Sequence, residues 1–248
     1  MSRASRAWKT MGRIIKLIAA LAIAFVFGLL GWRLMADRTP RSMATLSVNE
    51  QTYRAYVENG ESLTLLTQEQ NTITRGTKNA GYFSVTEDVL IPEANQIQLL
   101  FRYNNSTIRA LKTDYNLAEL PARESELYDV TVLLAIDLTP DDPSDNAGNA
   151  PESVRFVRVH ASAAPVTETT QLYNYRRFIF DVGSSGEDLR SLLDSGLLLA
   201  VYADVYYNQD IRYDENPYGA LCLYDYKTET ETVTLTSRDR KALAAFGG

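Results

Sequence analysis

Through most of the chain beyond Gly81, apolar residues recur at every second position. Phe83, Val85, Val89 and Ile91 share one parity, as do Ile97, Leu99, Phe101 and Tyr103. Tyr128, Val130, Val132, Leu134, Ile136 and Leu138 make a third set, and Leu197, Leu199, Val201, Ala203, Val205 and Tyr207 a fourth. Successive side chains of a pleated strand point to opposite faces, so runs of period two predict strands with one face on a core. Similar stretches at 154–161, 172–182, 218–226 and 230–235 predict further strands. The last of these, within ETETVTL at 229–235, is polar enough for a sheet edge, where charge discourages pairing with another chain.

Helical spacing is confined to short stretches. Ile108, Leu111 and Tyr115 follow the candidate cap Ser106, Ser185 and Asp188 resemble a capping box that opens a turn or two before Gly196, and residues 238–246 follow the candidate cap Ser237. Seven to nine strands with minor helices predict a mainly β fold, an antiparallel β-sandwich with short peripheral helices. A doubly wound α/β fold needs long amphipathic helices between its strands, and the chain has none.

The N-terminus carries a different pattern. Residues 17–32, LIAALAIAFVFGLLGW, are uncharged, and with Ile14, Ile15 and Lys16 they extend to about 28 Å of helix, close to the hydrocarbon thickness of a bilayer. Trp8 and Trp32 fall near opposite boundaries, as interfacial aromatics do. A cleaved signal peptide is the competing reading, but it needs small residues at set positions after the apolar run, where the chain continues Arg33-Leu34-Met35-Ala36-Asp37. The expected organisation is a basic cytoplasmic tail at 1–13, a transmembrane signal-anchor helix at 14–33, a stalk at 34–60 and an extracytoplasmic β-sandwich at 61–248. The stalk rests on the polar, weakly periodic character of the segment after Ala36, with patches at 53–57 and 63–66 that suggest a helix turn and a first strand.

Charge sharpens this division. Up to Arg41 there are eight basic residues and one acid, a net of +7, whereas the remainder holds 17 basic and 30 acidic residues, a net of −13. Five basic residues precede the apolar run and three follow it closely, which favours a cytoplasmic N-terminus and places the body outside the cell membrane. An acidic body repels phosphate backbones, so nucleic acid is not an expected partner.

Candidate chemistry is sparse, and no catalytic, cofactor-binding or metal-ligating residue is assigned. His160 is the sole histidine, without a Gly-x-Ser-x-Gly elbow anywhere in the chain, and reads as a solvated strand residue. Cys222, the sole cysteine, lies between Leu221 and Leu223 and reads as a small buried hydrophobe. The loop at 137–152 offers Asp141, Asp142 and Asp145 as hard oxygen ligands for calcium. Pro143 and Ala147, however, occupy positions where an EF-hand needs ligands, so a solvated loop is the simpler reading. Tyrosine is abundant, 15 residues against two tryptophans. Tyr202, Asp204 and Tyr206 share the strand face opposite the apolar one, and Tyr173 and Tyr175 form a similar stripe beside Arg176 and Arg177. Exposed tyrosine among charged groups suits a protein- or sugar-binding platform, since the ring contributes area at little entropic cost.

The expected function is therefore a non-enzymatic, membrane-tethered binding or assembly module. It would be held in the lipid bilayer through residues 14–33 and engage a protein partner in what composition suggests is a bacterial envelope. A carbohydrate-binding module using Tyr202, Asp204 and Tyr206 is the alternative, and a carboxylate-based hydrolase a third.

Overall fold

The computed structural model describes residues 3–36, 39–68, 84–114, 129–138, 154–206 and 217–248. An N-terminal helix, α1 (Arg3–Ala36), contains the stretch Arg13–Trp32, which is long and apolar enough to cross a membrane and is nowhere buried against the rest of the molecule. The chain then builds two antiparallel sheets. The first has six strands: β1 (Leu65–Thr67), β2 (Ser84–Ile91), β3 (Gln96–Tyr103), β6 (Val166–Thr169), β7 (Asn174–Asp181) and β10 (Glu231–Val233), in the order β10-β1-β2-β3-β7-β6. The second has β4 (Asp129–Asp137), β5 (Val154–His160), β8 (Leu198–Tyr206) and β9 (Pro217–Asp225), in the order β5-β4-β8-β9.

The two sheets pack face to face as the alternation predicts. Leu99, Phe101, Phe178 and Phe180 from the six-stranded sheet meet Val130, Val132, Leu134 and Val201 from the other, all at 0 or 1% exposure. Phe101 and Phe178 meet edge to face, with centroids 5.6 Å apart, an arrangement favoured by the ring quadrupoles. The polar strand at 231–233 lies at a sheet edge, and all three of its residues are exposed. The short strand β6 carries no apolar alternation in VTET, which is why periodicity did not anticipate it.

The helices are short and peripheral: α2 (Glu50–Glu58), α3 (Asn105–Asp114), α4 (Leu189–Asp194) and α5 (Ser237–Gly247). Their caps differ from expectation by one to three residues. Asn104 rather than Ser106 accepts from the first amides of α3, at 2.9 and 3.1 Å, Asp188 caps α4, and Thr236 with Asp239 forms the capping box of α5.

The segment expected to be a stalk requires correction, because from Met43 onward it is part of the domain. Residues 43–48 and α2 lie with α5 over the outer face of the six-stranded sheet. Met43 is 2% exposed against Leu100 and Tyr175, and Leu46, Ala55 and Leu243 join Val89 and Ile91 in a second core. Polar positions of β3 hold this layer down. Gln98 takes the amide of Ser47 on its side-chain oxygen at 3.0 Å and returns its own amide to the Ser47 carbonyl at 2.8 Å, so the side chain does what a neighbouring strand would. Gln96 accepts from Gln98 and from the Thr52 hydroxyl, and both glutamines are wholly buried. Asp239 accepts the amide of Leu46 at 2.9 Å, joining the N-terminal segment to the C-terminal helix.

Candidate functional site

With one outer face covered by the chain's own segments, the outer face of the four-stranded sheet is where the sequence-predicted residues lie. Strand register sets its rows. Leu133 at the centre has Arg158 on one side and Tyr202 on the other, and Cys222 lies beyond Tyr202. Thr131 has His160 on one side and Asp204 on the other, while Ala135 is flanked by Phe156 and Ala200.

Tyr202 and Asp204 are half-exposed on this face; Tyr206 belongs to β8, but its side chain lies outside the described residues. The stripe was legible because period two in β8 puts Val201, Ala203 and Val205 inward. Sequence reasoning missed Phe156, Arg158 and Thr131. The Arg158 guanidinium reaches across β4, donating from Nη1 to the Thr131 hydroxyl at 2.8 Å and lying 3.3 Å from Asp204 Oδ2. This bridge covers Thr131, which is wholly buried although it points outward. Phe156 is 59% exposed on edge strand β5, and His160 is exposed two residues further on. The signal that could have found them is the alternation in VRFVRVH, which sets Phe156, Arg158 and His160 on one parity.

Asp129 begins β4 on the same parity as Thr131. Desolvation raises its carboxyl above the usual aspartate value, partly opposed by its bond to the Val130 backbone and by electrostatic attraction to Arg176 and His160 nearby. Cys222 is half-exposed rather than buried, because Leu221 and Leu223 take the core side. Its thiol donates to the Tyr224 carbonyl at 3.3 Å, and burial together with the charge of Asp225 raises its pKa, so it stays protonated near neutral pH.

The second tyrosine stripe does not form a platform. Tyr175 is fully buried beneath Met43, and Arg176 and Arg177 are 3 and 2% exposed. Arg177 donates to the Met43 carbonyl at 2.5 Å and to Glu87 at 2.7 Å, so this arginine holds the covering layer in place.

The calcium candidates Asp141, Asp142 and Asp145 lie outside the described residues. A cavity of about 230 Å³ opens beside the covering layer, lined by Leu46, Leu65, Val89, Glu87 and Asp239. Two of its carboxylates are already committed, Glu87 to Arg177 and Asp239 to the amides of Leu46 and Thr236. Comparison with protein-family models, curated proteins and solved structures gives no match for this chain.

Proposed function

We propose that this chain is a single-pass, membrane-tethered module whose β-sandwich lies outside the cytoplasm and binds a protein partner of the cell envelope, without catalysis of its own. The observation that carries the reading is the contrast between the two outer sheet faces. One is sealed by residues 43–58 and α5, while the other presents Phe156 at 59% exposure with half-exposed Tyr202, Arg158 and Asp204. An aromatic anchor set among arginine and further aromatic groups is the composition of interface hot spots. The topology is supported by the exposed apolar stretch Arg13–Trp32 and by the excess of basic residues before it.

A photo-crosslinking residue at position 156 or 202, introduced in intact cells, is expected to give a discrete protein adduct, and one at Val57 on the covered side is not. Equal labelling from all three positions, or no adduct from 156 and 202, defeats the reading. Protease added to intact cells is expected to cleave the body; cleavage only after lysis defeats the topology. The half-exposed Tyr202 on the sheet face favours glycan binding as the second reading. That reading predicts glycan-array binding that is abolished in Tyr202→Ala.

A further inference from the structure

The connection between the apolar helix and the domain is too short for a stalk. Between Trp32 and the end of α1 at Ala36 the helix rises about 6 Å, at ~1.5 Å per residue. Three steps further on, Thr39 and Pro40 are already half-buried on the domain, at most about 11 Å along the chain at ~3.5 Å per step. The Pro40 carbonyl then accepts the amides of Met43 and Ala44, both at 2.9 Å, the Ser42 hydroxyl donates to Glu168 of β6, and Met43 is buried. A headgroup layer of roughly 5–8 Å lies between the hydrocarbon and water. One end of the sandwich is thus held within about 10 Å of the bilayer surface.

That end is defined by the close of β3, the start of α3 and the turn at 170–173. Among the described residues, the outward basic and aromatic groups there outnumber its two half-buried acids, Glu168 and Asp129. Arg41 and Arg109 are exposed, and Arg102 is half-exposed with its guanidinium 4.5 Å from the centroid of the Tyr173 ring. Helix α3 crosses this end with Ile108 turned to the inter-sheet core, leaving Ser106 and Arg109 outward. The far end has the opposite sign: Glu50, Glu58, Glu93, Glu187, Asp188 and Asp194 cluster on α2, α4 and the turns beside them, against Arg54, Arg155 and Arg190.

We infer that the sandwich stands end-on upon an anionic bilayer surface, with Arg41, Arg102, Arg109 and Tyr173 at the headgroups, its acidic end distal and the outer face of its four-stranded sheet running away from the membrane. The inference rests on the membrane anchorage proposed above. Anionic headgroups attract the near end and repel the far one, so charge and tether length select the same orientation.

The test uses the full-length protein in vesicles containing phosphatidylglycerol and an acceptor-labelled lipid. A donor fluorophore is placed at Ser106→Cys, at Gln171→Cys or at Asp194→Cys, each in a Cys222→Ser background. The eight-residue strands hold the two ends about 26 Å apart at ~3.3 Å per residue, and roughly twofold greater transfer to the headgroups is expected from positions 106 and 171 than from 194. Protein that floats with the vesicles yet transfers equally from all three sites, or most from 194, overturns the end-on mounting and leaves the anchor reading intact. Protein that does not float at all overturns the anchor reading and the mounting with it.

Discussion

The two outward-facing sheet surfaces of this domain began from similar material and ended differently. Both carry polar or charged residues between core-facing apolar ones: Gln96, Gln98 and Arg102 on β3, and Tyr202 and Asp204 on β8. On the six-stranded sheet those polar groups became fixtures of an interior, with Gln96 and Gln98 fully buried and bonded to a segment some fifty residues earlier in the chain. On the four-stranded sheet no described segment of the chain lies over them, and the polar residues bond to one another across the strands, as Arg158 does with Thr131 and Asp204. Alternation identifies which side of a strand is apolar, but not whether the polar side meets water or a third layer.

Removing the fixtures of the covered face should have the largest effect. Gln98→Ala strands the buried amide and carbonyl of Ser47, and Asp239→Ala strands the amide of Leu46 together with the α5 cap. Each should lower unfolding free energy by about 2–3 kcal/mol in denaturant titrations, since each leaves a buried polar group without a partner. Arg158→Ala on the outer face of the four-stranded sheet removes an ion pair whose side chains keep 23 and 15% of their exposure, and should cost about 1 kcal/mol or less. A loss from Arg158→Ala as large as that from Gln98→Ala would erase the distinction between the faces.

A smaller effect is expected at Asp129, and its sign depends on pH. Because folding raises this carboxyl's pKa, the folded state holds the proton more tightly than the unfolded chain. That contribution is fully present below the unfolded value of 3.8 and is lost as pH rises through the folded value. Asp129→Asn should therefore raise the thermal midpoint slightly near neutral pH, and the gain should vanish below 3.8; a gain that persists in acid would refute this assignment. Smallest of all, Phe156→Ser should change stability by about 0.5 kcal/mol or less, because the ring is already largely in water, while abolishing any crosslink made from that strand.

Many of the strands were legible because burial between two sheets imposes period two directly on sequence, and β3 and β4 carry it cleanly. In β2 a register shift after Val85 leaves Val85 in the inter-sheet core but turns Val89 and Ile91 to the second core, and in β8 a shift buries Leu198 in place of the expected Leu197 and Leu199. The membrane-compatible helix was legible for a similar reason, since a helix apolar on all sides has no packed alternative among the described residues. What stayed hidden was the third layer. Met43 and Leu46 are isolated apolar residues in a polar segment, and Gln98, Arg177 and Asp239 secure them across separations of 51, 134 and 193 residues. Such contacts leave no local period, so the segment reads as a stalk. The candidate face was half visible for the same reason. Tyr202 and Asp204 follow from parity within β8, whereas their pairing with Arg158 depends on the register of β4 between β5 and β8.

Hydroxyl-radical footprinting of the purified full-length protein compares the two faces in one measurement. The account predicts that Met43 and Tyr175 resist oxidation in the native state, despite the intrinsic reactivity of a methionine, while Phe156 is modified at close to its unfolded rate. Rapid oxidation of Met43 in the folded protein, or protection of Phe156, would contradict it.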